Sequence, residues 1–496
     1  MFLRSLALVW LSTACVAAAL PASAAGAPAL PLGHVGRWIT DARGRVVIVH
    51  GTNMVYKLPP YYPSAIGFSA DDAAFLARLG FNAVRVGVIW TAVEPQPGVF
   101  DDAYLNQIAR TVATLARHGI LSLLDFHQDM FNERFQGEGA PDWAVQDGGL
   151  PNPTLGFPGN YTGNPALQYA LDAFFSNAAG PGGIGLDARF AAAWAHVAGR
   201  FQSVPSVLGY ELFNEPFPGS AWPACANAVG CPFDAELTAL YRRTDAAIRA
   251  VDRRTVVWYE PNVLFNAGFG SEVGALDDPG GGLAFHDYCI TEPQTHSPAG
   301  CDTTDNLVFS HALSHVAQTG EAILMTEFGS TTDTAYLTDM LARADRDMVP
   351  WLEWSYCACR SPTDTGQPGI VVDPSKPPRG SNLVLGTLRA LVEPYPQVIA
   401  VTPLSWGFDS STRTFTLAYS TVRADGDSRF KRGSITEIAT PALVYGGRYG
   451  VQADGGAIVS KRGASRLEIA ACPGARTITV TVSPSGRPRG SCRNRG

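Results

Sequence analysis

Glu215 and Glu327 each stand at the end of an apolar, strand-like run: GYELFNEP over residues 209–216 and ILMTEFG over residues 323–329. They lie 112 residues apart, about the distance separating strands four and seven of a barrel built from βα units. Carboxylates at the ends of two different parallel strands can face each other across a cleft, one protonated and one ionised. That pair is the minimum machinery for cutting a glycosidic bond.

The rest of the chain must supply elements that bring the two together. Eight apolar, β-rich runs occur, at Val46–His50, Ala83–Val88, Ile120–Asp125, Val207–Phe213, Thr255–Tyr259, Leu283–Phe285, Ala322–Thr326 and Val349–Trp354. Helical patterns lie between them, at Asp71–Leu79, Ala103–His118, Asp187–Phe201, Ala235–Val251, Asn306–Gln318 and Thr334–Asp345. Near-continuous apolar strands alternating with amphipathic helices indicate a parallel sheet covered by helices. The α/β fold expected over residues 26–396 is a (β/α)8 TIM barrel with some long βα loops. The longest loop, from Gln128 to about Ser176, shows no regular periodicity and reads as a lid or wall. Glu393–Gln397 (EPYPQ) reads as a short linker. Beyond it only short alternating runs and turn residues follow, which predicts a C-terminal β-sandwich over residues 397–496.

Active sites of such barrels sit at the C-terminal ends of the strands. The residues at or near those ends are Arg85, His127, Asn214 with Glu215, His286 with Asp287 and Tyr288, Glu327, and Trp354. They are polar and ionisable where a purely structural barrel needs only caps and turns. Glu211, Glu260 and Glu353 also lie in or beside strands, and structural pairing is the better reading for them.

At these residues the chain resembles glycoside hydrolase family 5, the retaining β-glycosidases of the (β/α)8 superfamily. Within that family it is similar to the secreted endoglycoceramidases of actinobacteria. The matching segments are 125–130 (DFHQDM), 135–143 (FQGEGAPDW), 212–219 (LFNEPFPG), 285–289 (FHDYC) and 326–329 (TEFG), and the likeness extends through the β-sandwich. The resemblance implies hydrolysis of the bond between oligosaccharide and ceramide in glycosphingolipids by double displacement. Glu327 would be the nucleophile and Glu215 the acid/base. Arg85 would keep Glu327 ionised, Tyr288 would hydrogen-bond it, and His286 would lie close to Glu215. Asn214 would bind the sugar 2-hydroxyl, His127 and Trp354 would position the sugar, and Asp129 and Lys57 would bind further hydroxyls. No metal or organic cofactor is implied.

An endo-cleavage of this kind needs a polar cleft for the glycan beside an apolar gutter for lipid. Gutter candidates are Leu58, Tyr61, Tyr62, Ile66 and Phe68, with Val263, Leu264, Phe265 and Phe269. Ordinary aromatic sugar platforms or loop packing would explain the same residues. Three functions stay open: the endoglycoceramidase, another family 5 activity (a gala-series-selective endogalactosylceramidase, or an endoglucanase or mannanase), and a catalytically silent glycan- or lipid-binding protein. The presence of both carboxylates and their neighbours disfavours the last.

Composition bounds the partners. The chain has 496 residues, 46% hydrophobic and 16% charged, with a net charge of −7 and no long basic run. That argues against nucleic acid; no obligate protein partner is evident, and the expected partner is glycosphingolipid in micelles or at a membrane surface. Arg4, the apolar stretch Leu6–Leu20 and the small residues Ala22 and Ala24 read as a signal peptide over residues 1–25, hence a secreted protein. Leu11–Cys15 offers the alternative of a lipid-anchored cell-surface protein attached through Cys15. Eight further cysteines agree with export. Local spacing favours the bridges Cys225–Cys231, Cys289–Cys301 and Cys472–Cys492. Between Cys357 and Cys359 a mutual bridge is a strained option.

Overall fold

The computed structural model describes residues 27–226, 230–289, 298–359, 361–363, 366–400, 402–426, 428–431 and 433–492. The leader and Cys15 lie outside the described residues. Among those described, no helix is long and apolar enough to cross a membrane.

Three short N-terminal strands, β1 (Gly33–Val35), β2 (Trp38–Thr40) and β3 (Val46–Val47), precede the barrel. The barrel follows as β4 (His50–Met54), β5 (Ala83–Val88), β6 (Leu121–Phe126), β7 (Val207–Glu211), β8 (Val257–Tyr259), β9 (Gly281–Asp287), β10 (Ala322–Phe328) and β11 (Trp351–Glu353). The eight close in sequence order, each pair parallel, with β11 returning to β4. All six expected helices are present. Every residue of these strands is buried, which is why they read as continuous apolar runs rather than alternating ones.

The first expected strand is displaced. Val46 and Val47 pair antiparallel with Ile399 and Val398 of the second domain, and the barrel ladder starts only at His50. The run is apolar throughout because it serves two cores on alternate faces. Val46 and Ile48 join the core of the second domain, while Val47 and Val49 join a cluster with Leu352 and Ala83. The loop after β6 is also more ordered than its sequence suggests, containing a helix over Pro165–Phe175 capped by Asn164. That helix buries Leu167, Leu171, Phe174 and Phe175 with three alanines, and its outer stripe holds only two polar residues, Gln168 and Asp172, beside Pro165 and Tyr169, too few to betray its period.

The second domain packs two antiparallel sheets. One joins β1, β2 and β3 to β12 (Pro396–Ile399), β15 (Ile435–Ala439), β18 (Arg466–Ala471) and β17 (Gly456–Ile458). The other comprises β13 (Pro403–Asp409), β14 (Thr414–Ser420), β19 (Thr477–Ser483) and β16 (Gly450–Asp454). The segment expected as a linker is a buried junction instead. The Tyr395 ring stacks on His50 at 3.7 Å, and its hydroxyl donates to the Gly80 carbonyl at 2.7 Å. The four bridges are Cys225–Cys231, Cys289–Cys301, Cys357–Cys359 and Cys472–Cys492.

Candidate active site

Arg85 on β5 is the hub of the cleft floor, with no exposed surface. Its guanidinium donates to Glu211 at 2.6 Å, Asn214 at 2.8 Å, Glu260 at 3.2 Å and Asn53 at 3.2 Å, and to Glu327. Asp125 lies 3.1 Å away. Four carboxylates around one cation cannot all be ionised in a low-dielectric site. Burial, with Glu211 next, drives Glu260 well above the ordinary carboxylate range, and burial also raises Glu211. Both therefore act as structural partners of the hub, as expected. Glu353 accepts from the Thr52 hydroxyl at 2.9 Å, and burial pushes it up to about 8.

Two groups rise from this floor. Glu327, at the end of β10, takes Arg85 on one oxygen and the Tyr288 hydroxyl on the other, at 2.9 Å. Glu215 stands beyond β7, where the ladder stops at Glu211 and the chain turns. Its φ of 44° is left-handed, a conformation an L-residue holds only when its surroundings fix it. They do so at three points. Its N–H donates to Glu260 at 3.1 Å, and the Gln128 amide donates to the carbonyls of Asn214 at 2.7 Å and Glu215 at 3.2 Å. The Glu215 carboxylate accepts from Asn266 at 2.6 Å and lies 2.9 Å from His286 Nδ1. Burial, reinforced by the Asp129 charge, pushes Glu215 up to about 7. Burial lowers His286 to about 4, so its imidazole is neutral.

One oxygen of Glu215, one of Glu327 and a ring nitrogen of His286 lie within 4.8 Å of one another. Such a separation falls short of the roughly 6.5–9.5 Å at which inverting pairs stand and suits attack by one of the carboxyls, the retaining geometry of about 5–5.5 Å. Arg85 beside Glu327, and Lys57 beside Asp129 in the neighbouring cluster, place a side-chain cation next to a carboxylate in each group.

One wall of the cleft is built from other loops. The rings of His127 and Trp354 stack at 5.3 Å with 14° between planes, and Lys57 Nζ sits 4.5 Å over the Trp354 ring. Lys57 donates to Asp129 and, at 3.0 Å, to Thr363, whose hydroxyl donates to Asp129 at 2.6 Å. Against burial, Asp129 and Glu138 raise Lys57, and against burial Lys57 and His127 hold Asp129 far below its ordinary value. His127 hydrogen-bonds Asp125 at 2.8 Å; that carboxylate outweighs burial and the Lys57 charge, raising His127 to about 9. Lys57 and Asp129, expected to bind sugar hydroxyls, form one ion pair. All ten expected site residues gather around this cleft. Asn266, Gln128, Thr363 and Glu138 complete it: Gln128 and Glu138 lie in the matching segments 125–130 and 135–143 without an expected role of their own, and Asn266 and Thr363 lie outside every matching segment.

Residues 40–360 match the cellulase family, glycosyl hydrolase family 5, and residues 394–482 match the family 5 C-terminal domain. The chain belongs to glycoside hydrolase family 5. Among its family 5 relatives, endoglycoceramidase I of Rhodococcus hoagii is 32% identical over 92% of this chain and 88% of its own. The endoglycoceramidase of Hydra vulgaris is 31% identical over 77% of this chain and 76% of its own. Endo-glycoceramidase II from Rhodococcus sp. superposes with a TM-score of 0.74 in its ganglioside GM3 complex and 0.72 as a lactosyl-enzyme intermediate, at 28% identity over 90% of this chain and 99% of that one.

Proposed function

We propose that this protein is a retaining endo-β-glycosidase that hydrolyses the bond between the oligosaccharide and the ceramide of glycosphingolipids. The observation that carries the reading is the facing pair Glu215 and Glu327 within 4.8 Å, each with its own set of partners. In the first step a Glu327 oxygen attacks the anomeric carbon as its bond to the leaving oxygen breaks. Glu215, raised to about 7, gives that oxygen its proton. In the second, Glu215 takes a proton from water, the water attacks the same carbon, and Glu327 is released. Arg85 and Tyr288 balance charge on Glu327 in both steps. Asn214 binds the 2-hydroxyl with the amide hydrogen not used by the Gln128 carbonyl. His127 and Trp354 position the sugar, and the Lys57–Asp129 pair binds hydroxyls farther along the glycan.

Ceramide as leaving group is supported by the endoglycoceramidase relatives and by the loops after β4 and β8. There Leu58, Tyr62, Ile66, Val263, Leu264 and Phe269 are partly exposed and form the proposed gutter. Tyr61, Phe68 and Phe265, candidates on the same loops, are buried in the barrel core instead. The substrate is met in micelles or at a membrane surface. Four disulfides support export to an oxidising compartment.

Incubation with a ganglioside, a gala-series glycolipid and carboxymethylcellulose, followed by mass spectrometry, tests the reading. Intact oligosaccharide plus ceramide is expected, and Glu327→Gln should lower the rate by about 10⁴-fold or more while substrate still binds. Cleavage of the polysaccharide without ceramide release would sink the proposal.

A further inference from the structure

Glu138 takes no part in the steps above, yet its carboxyl is fully buried and neither oxygen has a hydrogen-bond partner. It sits on the loop after β6, where two backbone hydrogen bonds clamp it to Asp129. Asp129 N–H donates to the Glu138 carbonyl at 3.1 Å, and Glu138 N–H to the Asp129 carbonyl at 2.9 Å. The flanking glycines permit this approach. A Cβ at Gly137 would meet the Asp129 carbonyl oxygen at 1.8 Å, and one at Gly139, whose φ is +137°, would meet Gln128 Cβ at 2.5 Å. The chain gives up both neighbouring side chains and places one acid behind the sugar-binding wall. Glu138 Oε1 lies 3.9 Å from Lys57 Nζ and 4.0 Å from His127 Nε2, which also lacks a partner. A buried carboxyl without hydrogen bonds is expensive. For packing alone, a residue without charge would do as well.

We propose that Glu138 is a positioning residue of the active site, a buried acid whose ionisation upsets the Lys57–Asp129–His127 cluster and through it the grip on the sugar. The inference rests on the glycosidase reading of the cleft. The ionisable groups acting on the cluster are Lys57 and Tyr61 from the segment after β4, Asp125 from β6 with His127 and Asp129 after it, and Tyr161 from the same loop farther on. Glu215 and Glu327 lie beyond. The cations Lys57 and His127 are balanced by Asp125 and Asp129. An ionised Glu138 adds a third anion and draws the Lys57 ammonium away from Asp129, so the wall loses its shape. Burial, with the Asp129 charge next, keeps Glu138 protonated up to about 8. Below that pH the wall is balanced; above it the sugar is held less well.

An aryl β-lactoside with a nitrophenolate leaving group isolates the effect, because its departure needs no proton from Glu215. For the wild type, KM is expected to rise roughly fivefold between pH 7 and 9, the size of one hydrogen bond, with kcat little changed. Glu138→Gln should match the wild type below pH 7 and lose the part of the rise centred near 8, keeping only what departure of the His127 proton near 9 causes. Should the amide prevent folding, Glu138→Asp should keep a rise in KM but move its midpoint. A wild type without the rise, or a Gln or Asp variant with an unaltered rise, would overturn the proposal. A wild type inert on the glycoside at every pH would overturn the glycosidase reading instead.

Discussion

Asn266 donates to the Glu215 carboxyl, and its bond of 2.6 Å favours the ionised form. Glu215 must hold its proton to release the aglycone, so kcat/KM should fall as pH rises through about 7. Asn266→Ala removes a donor to the carboxylate and leaves burial and the Asp129 charge to act. The proton is then held to higher pH. The alkaline limb of kcat/KM on a glycolipid substrate should move up by roughly 0.5–1 pH unit, the worth of one such hydrogen bond. An unmoved limb would mean that another group sets it. Asn266 has no periodic signal in the sequence, whereas Glu215 and Glu327 do, because each ends a run of strand residues. Chemistry at strand ends is therefore legible from the residues themselves, and chemistry contributed by loops, such as Lys57 and Asp129, only through the family resemblance.

The elements that hold these residues differ in how they are secured. β9 delivers His286 and Tyr288 and then runs at once into Cys289, whose bridge to Cys301 spans 12 residues and ties the strand end to the following helix, Cys301–Thr319. Replacing both cysteines by serine should cost about 3 kcal/mol through loop closure. It should also lower kcat, since Tyr288 loses its anchor beside Glu327. The pair Cys472–Cys492, closing 20 residues of the second domain, provides the contrast: its loss should lower the melting temperature and leave kcat unchanged. Equal kcat losses in both variants would show that the bridges act only on global stability. Local spacing was enough to pair these cysteines, as it was to place seven of the eight barrel strands. It failed at Val46–Val49, where one apolar run is divided between two cores, and at Pro165–Phe175, where seven of eleven residues are buried and only Gln168 and Asp172 are polar on the outer face. Both failures come from burial that sequence periodicity cannot assign to a partner.

Across the whole molecule, the barrel and the sandwich meet through ionisable groups rather than a purely apolar seam. His50 at the start of β4 is held between the rings of Trp351 and Tyr395, at 4.2 and 3.7 Å, with Glu393 3.9 Å from its Nδ1. Trp406 of β13 donates its indole N–H to Asp345 at 2.5 Å. Burial pushes Asp345 up to about 7, and burial together with the Asp345 charge sends Glu393 well above the ordinary range. Burial keeps His50 neutral. A carboxyl whose pKa is higher folded than unfolded binds its proton more tightly in the folded state. Its contribution is complete below the ordinary carboxylate value near 4 and is lost progressively as pH rises to about 7. His50 opposes this below its ordinary value, so comparison with an isosteric variant is needed to isolate Asp345. Asp345→Asn keeps an acceptor for Trp406 and cannot ionise. It should melt near or below the wild type at pH 4.5 and above it at pH 7.5, a relative change of about 3 kcal/mol or roughly 3–6 °C at about 1–2 °C per kcal/mol for a chain of this length. If the two melting curves run parallel across that range, Asp345 ionises in the folded protein as it does in the unfolded chain, and the domains are joined by packing alone.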